Sequence, residues 1–155
     1  MFVLKIAVGI CCVITCVKIA GRRAQNLKKE YDFWNSVCIS CDFLISNFSY
    51  KKEEINKVLN VDYPSLEYAM LVASFIKNEN LNFPPFVNNE EKIRLKSMFL
   101  ELGKADAKTQ KNAILSYKND FILIRDLAKS NYDKNFNLIL KVGFMFGVML
   151  FVLVI

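Results

Sequence analysis

The spacing of two cysteines is the feature of this sequence that most suggests a chemical role. Cys38 and Cys41 enclose two residues, and a C-x-x-C sequence can take part in thiol–disulfide exchange or supply half of a zinc site. No second C-x-x-C and no histidine is present in the sequence, so the ligand set of a zinc site is incomplete. We therefore interpret both cysteines as structural core residues, with a membrane thiol–disulfide enzyme as an alternative.

The lack of histidine removes the commonest catalytic arrangements as well. Histidine is the usual general base, and it activates the nucleophile in Ser-His and Cys-His pairs. A phosphate-binding loop G-x-x-x-x-G-K-[ST] is also missing, because Gly103-Lys104 has no glycine at the required upstream spacing. The sequence predicts a non-enzymatic protein without catalytic, cofactor or metal sites, and any ATP would be bound by a partner.

Length and charge further limit the class of protein to which this chain can belong. The 155 residues, about 54% of them apolar, supply one domain at most. The net charge is +6, but Lys5, Lys18 and Lys141 lie in the apolar ends, so the middle has 18 Lys/Arg against 15 Asp/Glu. That balance is too mild for a nucleic-acid surface.

Both ends of the chain have the composition of membrane spans. The uncharged run Ile6–Val17 covers about 18 Å, and snorkelling of Lys5 and Lys18 extends it to about 18 residues. Residues 138–155 give about 27 Å of apolar helix. We expect transmembrane helices at 1–20 and 138–155 around a cytoplasmic helical bundle at 21–137. A cleaved signal peptide is the alternative for the first span.

Basic residues predict the orientation of these spans. They follow the first span and precede the second, whereas the far side has only Lys5 and the amino terminus. By the positive-inside rule the middle segment is cytoplasmic and both termini lie outside. In that reducing compartment the cysteines should be free thiols. The residues concerned are Arg22, Arg23, Lys28, Lys29, Lys129, Lys134 and Lys141.

Apolar residues recur at helical spacing near both spans. A stripe at spacings of three and four predicts a helix over about Ala24–Ser49, and a second stripe predicts a long helix from Asp106 to the C-terminus. We expect the two helices to pack antiparallel, each continuing into its span, in an all-α protein. The stripes are Leu27, Tyr31, Trp34, Cys38, Cys41, Ile45 and Phe48, and Ile114, Tyr117, Phe121, Ile124 and Ala128.

Three shorter helices are expected between the long ones. The first covers Lys51–Asn60, and the second opens at Pro64 and runs to about Lys77, before Phe83-Pro84-Pro85-Phe86 interrupts the chain. Asn88 or Asn89 caps the third, which ends before Gly103. The residues predicted to face inward from the second helix are Leu66, Ala69, Met70, Ala73 and Ile76.

Two further patterns indicate contacts. Gly143 and Gly147 form a G-x-x-x-G that allows close helix packing in the second span, with the first span around Gly9 as the expected neighbour. The turn between the last two helices ends one helix at Gly103 and caps the next with Asp106. We propose Leu102, Gly103, Asp106 and Gln110 as its partner-contact residues.

This turn also carries a family resemblance. A leucine–glycine turn, an aspartate three residues on and a glutamine four further, before a long helix ending in the membrane, resembles the stage III sporulation protein AB family of endospore-forming bacteria. The resemblance extends to the first span and its basic residues, to Tyr50 and Ile55, and to Gly143 and Gly147. The chain departs from the family pattern at Asn47-Phe48 and Glu54.

The resemblance implies a role. Members look like a reduced inner-membrane platform protein of type II secretion and type IV pilus machines. The chain would lie in the mother-cell membrane around the forespore, as a scaffold subunit of the secretion-like channel between the two cells. Implied partners are a cytoplasmic secretion-type ATPase, other membrane subunits and membrane lipid, and a homo-oligomer is left open. The alternative is a membrane-anchored adaptor or a holin-like pore protein unrelated to sporulation.

Overall fold

A computed structural model describes residues 2–47, 59, 61–77 and 79–154, with the side chains of 2–5 and 154 excepted. Within these ranges the chain forms four helices and no strand: α1 (Phe2–Ser46), α2 (Leu66–Ile76), α3 (Asn89–Glu101) and α4 (Ala107–Val154). The all-α class and the two long, mutually packed helices are confirmed. The short helix expected over Lys51–Asn60 lies outside the described residues, apart from Leu59.

The chain divides into two compact units. Met1–Tyr31 with Leu127–Ile155 forms the first, called here the helix pair, and Asp32–Asp126 forms the second, called the bundle. The helix pair takes in the eleven residues after the expected span limit at 20/21 on α1 and the eleven residues before the expected limit at 137/138 on α4. Each long helix therefore contributes to both units.

The helix pair is antiparallel. Successive contacts take higher-numbered residues of α1 to lower-numbered residues of α4, from Gly9 beside Phe151 to Ala20 beside Gly143. Tyr31 then stacks on Tyr132, with ring centroids 6.3 Å apart and planes 7° from parallel. The contact between these two tyrosines lies about 33 Å of helix beyond Gly9.

The bundle is built around aromatic side chains from all four helices or their flanking segments. Trp34 of α1 lies 5.8 Å from Phe121 of α4, between ring centroids, which confirms that the predicted stripes meet. Phe33 makes edge-to-face contacts with Trp34, Tyr68 and Phe86. Such rings bury large apolar areas and fix the packing geometry of a small core. Other fully buried side chains are Val37, Cys41, Leu71, Val87, Leu95, Met98 and Phe99.

Helix α2 differs from its prediction in both its start and its inward face. Ser65 is the N-cap and accepts a hydrogen bond from the Tyr68 N–H at 3.2 Å, so the helix begins at Leu66 rather than at Pro64. Leu66 and Met70, predicted to be inward, are 71% and 55% exposed. The buried residues are Tyr68, Leu71 and Val72. Because nearly all of α2 is apolar, its pattern did not identify the face that the large Tyr68 ring buries against Phe33.

Helix α3 begins as predicted. Asn88 Oδ1 accepts from the Glu91 N–H at 2.9 Å, and Glu91 Oε2 accepts from the Asn88 N–H at 2.8 Å. This reciprocal capping box satisfies two backbone donors that the helix itself leaves free. The preceding Phe83–Phe86 segment is non-helical, which confirms the predicted break.

Within the described residues, one helix is long and apolar enough to cross a membrane. It covers Ala107–Leu153 of α4, and only 6% of its most apolar window is buried. The first expected span covers residues 1–20, and the side chains of its first five residues lie outside the described residues.

Candidate functional site

The turn between α3 and α4 combines buried and exposed residues. Leu102 follows the last residue of α3, has non-helical dihedrals and is 5% exposed. Gly103 has a φ of 76°, in the left-handed region that favours glycine. The Lys104 N–H then donates to the Glu101 carbonyl oxygen at 3.2 Å. The glycine thus reverses the chain while Leu102 anchors it in the bundle core.

Asp106 caps α4 as predicted. Its Oδ2 accepts from the Thr109 N–H at 3.1 Å, and its carbonyl oxygen accepts from the Gln110 N–H at 2.9 Å. Hydrogen bonds from the Thr109 side chain and backbone lower the pKa of this carboxyl. Asp106 is therefore an ionised, exposed cap at the start of the long helix.

Gln110 occupies a different environment from the one expected. It is 8% exposed, and its Nε2 has no hydrogen-bond partner among the described residues. The four turn residues thus divide into an exposed pair, Gly103 and Asp106, and a buried pair, Leu102 and Gln110. The surface position expected for Gln110 is therefore wrong. Position 110 lies one helical turn before the buried Ile114, so both side chains lie on the same inward face of α4.

Cys38 and Cys41 are buried and are not joined to each other. The Cys41 Sγ–H donates to Met98 Sδ at 3.7 Å, a contact between α1 and α3. Burial raises the pKa of Cys38 from 9.0 to about 11 and that of Cys41 to about 12. Both groups are therefore neutral thiols at physiological pH, the opposite of the low-pKa thiolate that redox chemistry requires.

Three buried hydroxyl groups beside Cys41 were not identified from the sequence. They belong to Ser40, Tyr63 and Tyr68, and the two tyrosine rings meet edge to face at 4.9 Å. Burial raises the pKa of both phenols, and the nearby Ser40 hydroxyl opposes that shift. Ser40 lies between the two stripe cysteines of α1, so the stripe is the signal that would have placed its hydroxyl group in the core.

A second polar contact joins α1 to the start of α2. Ser36 Oγ accepts from the Ser65 N–H at 3.1 Å and donates to the Asp32 carbonyl oxygen at 2.7 Å. These bonds satisfy buried groups and fix the loop before α2. These bonds explain why the polar residues Ser36 and Ser65 are buried.

The glycines of the helix pair lie at close helix contacts. Ala20 occupies the space that a side chain at Gly143 would need, and a β-carbon at Gly147 would lie 3.1 Å from Val13 Cα. Gly9, the neighbour expected for these glycines, instead faces the ring of Phe151. The α4 glycines therefore contact α1 about one to three turns away from the position expected.

Outside these contacts the helix pair presents apolar side chains. Both helices contribute, and residues such as Met145 and Leu153 are 70% and 72% exposed. Within the helix pair, the exposed large apolar residues of α1 are Val8, Ile10, Ile14, Val17 and Ile19, and those of α4 are Leu127, Leu138, Val142, Phe144, Met145, Phe146, Val148, Met149, Val152 and Leu153. An exposed apolar surface of this kind is typical of contact with lipid or another apolar partner.

Among the described residues, no group of three or more histidine, cysteine or acidic side chains is arranged to hold a metal ion. No protein-family model, curated protein or solved structure matches the chain.

Proposed function

We propose that the chain is a non-enzymatic membrane scaffold subunit whose helix pair crosses the bilayer twice and whose bundle is cytoplasmic. The exposed apolar surface of the helix pair carries this proposal. Burial of apolar surface is favourable by about 25 cal/mol per Å², so residues such as Phe144, Met145 and Leu153 favour a lipid environment over water.

The internal contacts of the helix pair suit a membrane hairpin. Lipid tails are as apolar as leucine, so helices in a bilayer associate through close packing rather than through hydrophobic burial. Small residues permit that approach, and here Gly143 faces Ala20 while Gly147 faces Val13. The glycine contacts support association of the two spans within one chain.

The bundle suits a binding role better than a catalytic one. Its two stripe cysteines are buried neutral thiols, and ion pairs such as Arg94 with Asp120 at 2.6 Å and Lys118 with Asp42 involve side chains that are at least partly exposed. The exposed part of the α3–α4 turn offers Gly103, Lys104 and Asp106 to a partner. We propose this exposed turn as the contact surface, with Leu102 and Gln110 holding it from inside.

On the resemblance described above, we propose a more specific setting. The chain is a platform-like subunit of the channel that links mother cell and forespore, with both termini outside the cytoplasm. Its partners there are a cytoplasmic secretion-type ATPase and further membrane subunits. The resemblance in the turn and the terminal span supports this assignment.

Affinity capture from membranes of sporulating cells tests the proposal. A tagged wild-type chain should resist extraction by alkaline carbonate and should co-purify with the ATPase after mild cross-linking. Lys104→Glu should reduce this capture, because it reverses an exposed charge in the turn without entering the core. Lys96→Glu, an exposed substitution on α3, is the matched control.

The alternatives give different results in the same material. A holin-like pore would release a small dye from vesicles containing the purified chain, and an unrelated adaptor would capture neither the ATPase nor channel subunits. Extraction by carbonate would contradict the membrane assignment itself.

A further inference from the structure

The two units of the chain differ sharply in charge. The helix pair contains nine Lys/Arg and two Asp/Glu, a net charge of +7, whereas the bundle contains twelve Lys/Arg and thirteen Asp/Glu, a net charge of −1. The whole positive excess of the protein therefore belongs to the helix pair.

Basic residues on the two helices are brought to one level. Arg22 and Arg23 follow the apolar surface of α1, which extends through Ile19, and Lys141 is the last charged residue of α4, directly before the uncharged apolar run 142–153. All three are exposed. Because Ala20 packs against Gly143 in an antiparallel pair, Arg22 and Lys141 each lie two residues, about 3 Å, from that contact on its same side.

No carboxylate lies nearby along either helix. The nearest acidic residues are Glu30 on α1 and Asp133 on α4, each eight residues, or about 12 Å, from Arg22 or Lys141. An uncompensated basic group beside an apolar surface is suited to a ligand with an anionic head and an apolar body. Anionic phospholipids have this chemistry, with a phosphate next to acyl chains.

We propose that Arg22, Arg23 and Lys141 form a basic collar that binds the phosphate groups of anionic phospholipids. The guanidinium groups offer paired N–H donors to phosphate oxygens, and the lysine adds a point charge. The acyl chains lie along the apolar surface that begins beside the collar. This inference rests on the proposed membrane insertion and extends it to a preferred lipid class.

The experiment uses the full chain in neutral detergent, where membrane orientation has no influence. Its thermal midpoint is measured during titration with short-chain phosphatidylglycerol or phosphatidylcholine of equal chain length. Phosphatidylglycerol should raise the midpoint at lower concentration. Replacement of the whole collar (R22Q/R23Q/K141Q) should weaken its apparent affinity about tenfold or more, because the phosphate loses its charged N–H donors.

The matched control removes three exposed lysines of the bundle (K96Q/K108Q/K111Q) and should keep the full response. Equal responses to both lipids, or an unchanged response in the collar variant, would overturn the proposal. A rise of the same size with inorganic phosphate alone would also overturn it, by assigning the collar to a soluble anion. For the wild type, raising the salt from about 0.05 M to 0.5 M should shrink the phosphatidylglycerol response, which tests the proposal independently of any variant.

Membrane insertion is tested separately with native membranes. Carbonate extraction of the wild type would refute the proposed function. An inserted chain that shows no preference for phosphatidylglycerol would refute only the collar.

Discussion

The methyl group of Ala20 lies against Gly143, in the space that a β-carbon at position 143 would take. This relationship fixes the register of the helix pair, because it sets one residue of α1 opposite one residue of α4. It also explains why a glycine stands within an otherwise large-residue apolar run. Gly21, the next residue of α1, faces open space: none of the described residues packs an atom within 4 Å of the point where its β-carbon would stand. It therefore offers a comparison in the same unit.

Alanine at these two glycine positions should change stability in opposite directions. Gly143→Ala should lower the free energy of unfolding in detergent by about 1–3 kcal/mol, because its methyl group overlaps Ala20. Gly21→Ala should raise it by up to about 1 kcal/mol, because alanine favours a helix over glycine and meets open space. Denaturant titration followed by circular dichroism measures both. A gain for both variants would show that the helices do not approach at position 143.

Fusion reporters test the orientation of the spans. A reporter active only in the cytoplasm should be silent after Ile155 and active when inserted in the exposed segment at Asn82. The expectation follows from the basic residues on the inner side of both spans. Activity after Ile155 together with silence at Asn82 would reverse the topology.

The buried thiols predict a loss of stability in alkali. Burial raises the pKa of Cys41 from 9.0 to about 12, so its contribution to stability is fully present below pH 9 and declines as the pH rises toward 12. Cys41→Ala should therefore lose stability less steeply above pH 9 than the wild type, despite a packing cost of about 1–3 kcal/mol at pH 7.

The measurement is the free energy of unfolding at several pH values between about 7 and 10.5. The difference between wild type and variant matters here, because Tyr63 and Tyr68 also have raised pKa values and contribute to both curves. Parallel curves would indicate that Cys41 does not titrate differently in the folded and unfolded chains.

Sequence periodicity predicted the long helices because their stripes contrast with polar faces. Trp34 and Phe121 belong to different stripes and meet in the bundle. Helix α2 offered no such contrast, because nearly all of its own residues are apolar. The packing of Tyr68 on Phe33 decided which face is buried. The inward face of a helix with little polar surface depends on tertiary contacts that local spacing does not encode.

The backbone conformation of the α3–α4 turn was predicted correctly, but the burial of its side chains was predicted only in part. Gly103 and Asp106 act through local geometry, a positive φ and a capping bond, and both follow from residue type. Gln110 was expected outside because it is polar and lies in the first turn of a helix. The Ile114 stripe, continued back by four residues, places it on the buried face, where position outweighs polarity.

The Asp106 cap predicts a local stability effect. Asp106→Ala should lower the thermal midpoint, since the Thr109 N–H loses its acceptor, whereas Asp106→Asn should keep most of the midpoint because asparagine is also a good cap. The pKa of Asp106 is lowered in the fold, so its contribution is present above its unfolded pKa and is lost as the pH falls. If the two variants melt alike at pH 7, the side chain does not cap α4.

Gln110 provides the sharpest test of how the turn is built. Its side chain is buried, and its Nε2 has no hydrogen-bond partner in the part of the chain that the structure describes; an unsatisfied buried polar group costs about 1–3 kcal/mol. Gln110→Met keeps the length of the side chain without the amide, so it should raise the free energy of unfolding by about 1 kcal/mol or more. Gln110→Ala removes the same amide but leaves space behind, so it should be less stable than Gln110→Met.

Asn112→Met supplies the control for these variants, because position 112 is exposed on the same helix and the substitution should change stability by less than about 0.5 kcal/mol.

Co-purification of the secretion-type ATPase completes the test. Gln110→Met should retain this partner, since the exposed residues Gly103, Lys104 and Asp106 are untouched. A well-folded, more stable Gln110→Met that loses the partner would show that the amide itself is recognised, which requires the turn to open when the partner binds. A less stable Gln110→Met would instead show that the amide finds a bond in the folded chain.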